Sequence, residues 1–223
     1  MTAPTASGRA SARIVPVGDE GTGWAGRVMT GLRWVEHLVL AQLLLVLGTL
    51  AGGVLLGLFP ALDAAGRLLA RLTTGDASTS VWRDFWTAWR AQWRRANTLG
   101  APAWALGALL LLDAGVAAAV TGPAGAVLLA GLTVVGAWTA LVVAFLVPVL
   151  RRYDDGLVPT WRFLLLAPAL SPGTSLAVLV TFAAVVLTAW FVPPVGVLVG
   201  ASAALLASGW LVDARLDRID ARA

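Results

Sequence analysis

An all-α, polytopic membrane bundle is what this sequence predicts, and three observations predict it. Of 223 residues, 59% are hydrophobic and 13% charged, against roughly 45–50% and about 25% in an ordinary globular domain. The apolar residues lie in long uncharged runs: none is charged from Leu38 to Leu62 or from Phe163 to Val212, and only Asp113 is charged from Ala96 to Leu150. A crossing helix needs about 20 such residues. Arginine supplies all 16 basic residues and brackets these runs, which is the membrane pattern and not the clustered patch of a nucleic-acid binder.

Residues 1–23 are small, polar and Gly-rich. They read as a flexible tail and lack the continuous apolar stretch of a cleaved signal peptide. Residues 24–212 read as one transmembrane helical domain. Trp24, Val28, Leu32 and Val35 recur at helical spacing in an interfacial lead-in. The first span covers about 38–59, and Pro60 is expected to end or kink it. Residues 61–73 form a short helix in which Asp63 and Arg67 stand at i, i+4 and can pair. Ser80 is the expected N-cap of the next helix.

That helix, residues 81–96, places Trp82, Phe85, Trp86, Trp89 and Trp93 within about a 100° arc. Arg83, Arg90 and Arg94 flank it. Tryptophan favours the headgroup region and arginine reaches phosphates, so the helix is expected to lie in the membrane interface or to pack under the bundle at that depth. Spans follow at about 99–120 and 124–150 across a turn at Gly122-Pro123. A charged loop at 151–162 comes next, then an interfacial or re-entrant piece at 163–172, too short to cross and broken by Pro168 and Pro172. Spans at 174–192 and 195–212 flank a Pro193-Pro194 turn, and residues 213–223 form a charged tail. Five to six membrane helices result.

Orientation follows from the arginines. The segments 64–98, 151–162 and 213–223 hold six, three and three of them, and the turns at 121–123 and 193–194 hold none. Those segments are expected on the cytoplasmic side of a bacterial inner membrane, with the C-terminus. Four more lie before the first span. If residues 61–73 return as the second leg of a hairpin, both termini are cytoplasmic, and this is the favoured reading although 13 helical residues rise only about 20 Å; if the first span crosses alone, the N-terminus is outside.

The stretch Gly57-Leu58-Phe59-Pro60-Ala61, then Gly75-Asp76, then Val81-Trp82-Arg83-Asp84-Phe85-Trp86 and Trp89-Arg90-Ala91 resembles the YesL family of bacterial integral membrane proteins. That family's pattern is a Gly-Pro, a helix, a Gly-Glu or Gly-Asp, and an aromatic, Arg-rich helix; here Gly57 and Pro60 stand further apart. The resemblance covers about residues 55–98. It implies an integral membrane protein without an established molecular activity, associated with carbohydrate uptake, and it carries over no catalytic residue.

Several positions are candidate sites. The face formed by Trp82, Phe85, Trp86, Trp89, Arg90, Trp93 and Arg94 is a partner or lipid interface, with plain anchoring as its bland counterpart. Asp113, the one charge deep in a span, costs about 2.5–3.5 kcal/mol at a bilayer centre; with Asp63 and Arg67 it is a candidate intramembrane polar site. Gly48-x-x-x-Gly52, Gly53-x-x-x-Gly57 and Gly196-x-x-x-Gly200 are small-residue faces for close helix approach. Packing within one chain is the favoured reading there and self-association the alternative. Asp154 and Asp155 read as a solvated loop, and His37 as an interfacial polar residue.

With no cysteine and one histidine, thiolate chemistry and histidine clusters are excluded, and no P-loop or HExxH motif occurs. No cofactor or metal is expected, and an enzyme is the least favoured class. The leading expectation is a non-catalytic membrane protein whose partners are the lipid bilayer and membrane components of a sugar-uptake system. The alternative is a small transporter or channel with Asp113 in its pathway.

Overall fold

A computed structural model describes residues 24–76, 78 and 80–221. The N-terminal tail expected at 1–23 lies outside the described residues. The helices are α1 Trp24–Ala51, α2 Leu58–Thr73, α3 Val81–Ala119, α4 Pro123–Arg152, α5 Leu157–Leu170, α6 Pro172–Phe191, the single turn α7 Pro193–Val195 and α8 Ala201–Asp220, with a π-helical stretch at Gly196–Gly200 before α8. Among the described residues five helical stretches are long and apolar enough to cross a bilayer. They are Gly26–Ala51, Val81–Ala119, Pro123–Arg152, Pro172–Phe191 and Pro193–Arg218. The chain is an all-α polytopic membrane bundle.

The chain divides into two compact units, Met1–Arg33 and Trp34–Ala223. The described part of the first is the opening of α1, where Trp24, Val28, Met29 and Leu32 are exposed. In the second unit the C-terminal half of α4 is the hub. Leu141, Val142, Ala144–Val147, Val149 and Leu150 are buried in succession, on every face of the helix. Around them pack Phe59 of α2, Ala96, Leu99 and Ala103 of α3, Leu164 and Ala167 of α5, Val178 of α6, and Val212 and Leu216 of α8. A second cluster joins Leu44 and Leu45 of α1 to Ala61, Ala64, Ala65 and Leu68 of α2 and Phe85 of α3.

Several boundaries differ from the expected ones, each for a backbone reason. α1 ends at Ala51 and not at Pro60. Gly53 takes φ 69° and Val54 φ 65°, the left-handed conformation that stops a helix. Pro60 instead stands in the first turn of α2, where its missing N–H has no intrahelical acceptor to lose. The expected interfacial helix 81–96 and span 99–120 form one 39-residue helix, α3, with Pro102 inside it.

Pro168 likewise lies within α5, and Pro172 opens α6. Pro172 leaves the Pro168 carbonyl without its helical donor, and the buried Ser175 hydroxyl donates to it at 2.9 Å. The charged tail continues α8 as helix to Asp220. Ser80 occupies the N-cap position without a capping hydrogen bond, its hydroxyl turned to Asp84.

The small-residue faces serve contacts within the chain. A Cβ on Gly48 would meet the Phe85 ring at 2.8 Å and Ala61 at 3.2 Å, and one on Gly196 would meet Ala189 at 2.4 Å. Gly200 faces Val185. Gly52 and Gly57 close the turn after α1, each leaving no room for a Cβ, whereas Gly53 serves through its positive φ.

The added methyl of Gly57→Ala would lie 2.2 Å from the Thr49 carbonyl oxygen. This substitution is expected to cost about 1–3 kcal/mol through overpacking, read as a lower Tm in detergent. Gly107 faces open space, so Gly107→Ala is expected to leave Tm unchanged or raise it. Equal Tm for the two variants would remove close packing as the role of Gly57.

Candidate functional site

The hub sets the chemistry at its own end. The last carbonyls of α4 have no intrahelical donor, and one guanidinium group, that of Arg95, meets them. Arg95 of α3 donates to the carbonyls of Leu150, at 3.0 Å, and Tyr153, and pairs with Asp154 at 2.8 Å. Arg151 donates to the Gly66 carbonyl of α2 at 3.3 Å and to Asp213 of α8. Arg152 pairs with Asp217. Arg215 donates to Ser171 at the α5–α6 junction at 2.7 Å. Arginine near a helix C-terminus also complements its dipole. The three arginine-bearing segments of the sequence thus meet at one end of the bundle.

Asp63 and Arg67 join this layer from α2. The predicted pair forms, Arg67 Nε donating to Asp63 Oδ2 at 2.8 Å. Asp63 is 1% exposed, and its Oδ1 has no hydrogen-bond partner among the described residues. Burial pushes the carboxyl above its ordinary value of 3.8, against the hydrogen bond and charge of Arg67 and the charges of Arg151 and Arg95. Beside the pair an open groove of about 490 Å³ runs between α2 and α3, lined by Arg67, Arg71, Arg151 and Asp84. Arg71 is held by Asp84 at 2.9 Å and Asp76 at 3.4 Å.

The aromatic face is assembled by the N-terminal half of α3. Phe85 is fully buried against Gly48 and Ala61, so it is a core residue and not part of an outer surface. Trp82, Trp86 and Trp89 form an edge-to-face series at 5.8 and 5.5 Å, with Phe85 beside Trp86 at 5.4 Å. Trp82 is 61% exposed. The ring nitrogens of Trp86 and Trp89 are buried without an acceptor among the described residues. Trp89, Arg90, Trp93 and Arg94 line a groove of about 510 Å³ beside the Ala51-Gly52 end of α1. Arg90 and Arg94 have no hydrogen-bond or ion-pair partner among the described residues.

Asp113 stands apart from both. It is exposed, in a groove of about 400 Å³ between α3 and α4 whose α4 wall is Val127–Val135. Asp63 and Arg67 lie by Val147 and Arg151. Along α4 the two places are separated by roughly 27 Å at helical rise. The three residues therefore do not form one polar site. His37 and Glu36 line a further groove with Ser78 and Arg83.

Gln42 was not among the candidates. It is 7% exposed, and its Oε1 accepts the Ser202 backbone N–H at 2.8 Å, just past the π-helical turn where the regular ladder is shifted. Its only sequence signal is that it is a polar amide inside an uncharged run. Trp161 similarly donates to the Leu99 carbonyl at 3.1 Å, in the turn that Pro102 interrupts.

A carboxyl whose folded-state pKa is raised adds stability that is full below about 3.8 and is lost as pH rises through the folded value. Wild-type Tm in detergent is therefore expected to fall from about pH 4 upward more steeply than that of Asp63→Asn. Superimposable profiles would show that Asp63 titrates alike folded and unfolded.

The family model described as a protein of unknown function, DUF624, matches residues 38–114, from α1 through the aromatic half of α3 to just beyond Asp113. The uncharacterized protein YteU of Bacillus subtilis is 27% identical over 94 residues, 42% of each chain; the chain thus matches less than half of that relative's length. No solved structure matches the chain. Over about a third of its length, then, this integral membrane protein is similar to the DUF624 proteins of unknown function.

Proposed function

We propose that the protein is a non-catalytic component of the bacterial inner membrane that docks a helical membrane partner on the Trp/Arg face of α3. The observation that carries this reading is the contrast between two sets of arginines. Arg67, Arg95, Arg151 and Arg152 are held by carboxylates of the chain itself. Arg90 and Arg94 are exposed beside the half-buried Trp89 and Trp93 and have no partner among the described residues. Aromatic and arginine side chains together are enriched at the centres of protein interfaces.

The resemblance of residues 55–98 to the YesL family supports a sugar-uptake system as the setting, with the protein as accessory to its membrane components. The clustering of arginines at the α4–α8 end supports that end, and the C-terminus with it, being cytoplasmic.

A photo-crosslinking amino acid at position 82 or 90, in native membranes, tests the docking. The expected product is a stoichiometric adduct with a membrane subunit of a sugar-uptake system, absent when the probe stands at Leu187, on an exposed face of α6. Adducts with lipid alone at 82 and 90 would overturn the docking reading and leave simple anchoring.

A further inference from the structure

We infer that the groove around Asp113 is a binding site for an amphiphilic organic cation, an ammonium or other onium group carried on an apolar body. Asp113 lies six residues before the end of α3, about 9 Å along the helix from its last residue, so an onium group can reach it from the headgroup side. The walls are apolar: Leu109, Val116, Val127, Leu128 and Val135, all substantially exposed. In a bilayer these side chains face hydrocarbon, and a carboxylate among them is costly until a charge of opposite sign meets it.

No described residue of the chain supplies that charge. Asp113 has no hydrogen-bond or ion-pair partner among the described residues. Between Ala96 and Leu150 the sequence contains no basic residue, and Arg95 is 18 positions away, roughly 27 Å along the same helix. The α3–α4 face of a second copy would bring no cation either, since residues 96–150 contain none. The complementary occupant is therefore a ligand with one positive charge and apolar bulk. A volume of about 400 Å³ lies within the range of small-molecule sites, which are mostly apolar with a few polar groups fixing orientation. An amphiphilic amine and the ammonium of phosphatidylethanolamine share this chemistry.

The site is tested with tetraphenylphosphonium, whose charge does not titrate, by equilibrium dialysis against the full chain in nanodiscs of phosphatidylglycerol. Saturable binding of one ion per chain is expected. Asp113→Asn is expected to weaken it at least about tenfold, because a charge pair shielded from water is lost. Asp113→Glu keeps the charge and is expected to retain binding, which separates loss of the carboxylate from loss of the fold. Asp155→Asn in the loop is expected to bind as wild type. Competition on adding phosphatidylethanolamine to the nanodiscs would identify a lipid ammonium as resident, and its absence a free amphiphilic amine. Undiminished binding by Asp113→Asn, or no saturable binding by wild type, would overturn the inference. Neither result bears on docking at the Trp/Arg face.

Discussion

Satisfying the end of α4 is the constraint on which the rest of the structure depends. The segment of that helix up to Leu150 is buried, and the carbonyls beyond its last intrahelical hydrogen bond need donors from outside the helix. In an apolar medium each unsatisfied backbone group costs several kcal/mol. The Arg95 guanidinium of α3 donates to the Leu150 and Tyr153 carbonyls, Arg151 reaches Gly66 of α2 and Asp213 of α8, and Asp154, Asp213 and Asp217 balance the charge of Arg95, Arg151 and Arg152. The same contacts fix α2, α3 and α8 in register around the hub. A guanidinium suits this work because its several donors reach a carbonyl and a carboxylate together.

This use of arginine separates two populations that look alike in composition. Arg67, Arg95, Arg151 and Arg152 at the hub's end are structural, each committed to a carboxylate. Those on the outer side of α3, Arg90 and Arg94, sit beside Trp89 and Trp93 and are committed to nothing within the described residues. Charge counting alone places both sets on one side of the membrane. Only the pairing distinguishes what holds the fold from what is available to a partner.

Much of the fold was legible because the bilayer imposes a rule of composition, and long uncharged runs have no other stable use in a helical chain. The Asp63–Arg67 pair was legible because both members stand on one helix at fixed spacing. The joints were harder to read. A proline can stand in the first turn of a helix, as Pro60 and Pro172 do, or inside one, as Pro168 does, according to its position relative to the orphan donors. The break after α1 comes instead from Gly53 and Val54 at positive φ. Phe85 shared the tryptophan arc in sequence, yet Gly48 on α1 opens the space that takes its ring into the core. Gln42–Ser202 and Arg95–Asp154 join residues far apart in sequence, so no local pattern announces them.

The continuity of α3 links the two surfaces that remain open. Its N-terminal half carries the tryptophans and its C-terminal half Asp113, with Pro102 between them. A proline there removes a rung of the ladder and would ordinarily loosen the helix. The freed region is instead occupied. Trp161 donates to Leu99, Asn97 bridges Trp93 to the Leu56 carbonyl at 2.9 Å, and Trp104 donates to Leu55 at 2.8 Å while its ring meets Phe59 edge-on. Gly100 lets Phe59 lie directly against the backbone. These contacts come from α2, α5 and the turn after α1, so the interruption is pinned from several directions. The tryptophan face and the Asp113 groove are thereby held on one fixed rod.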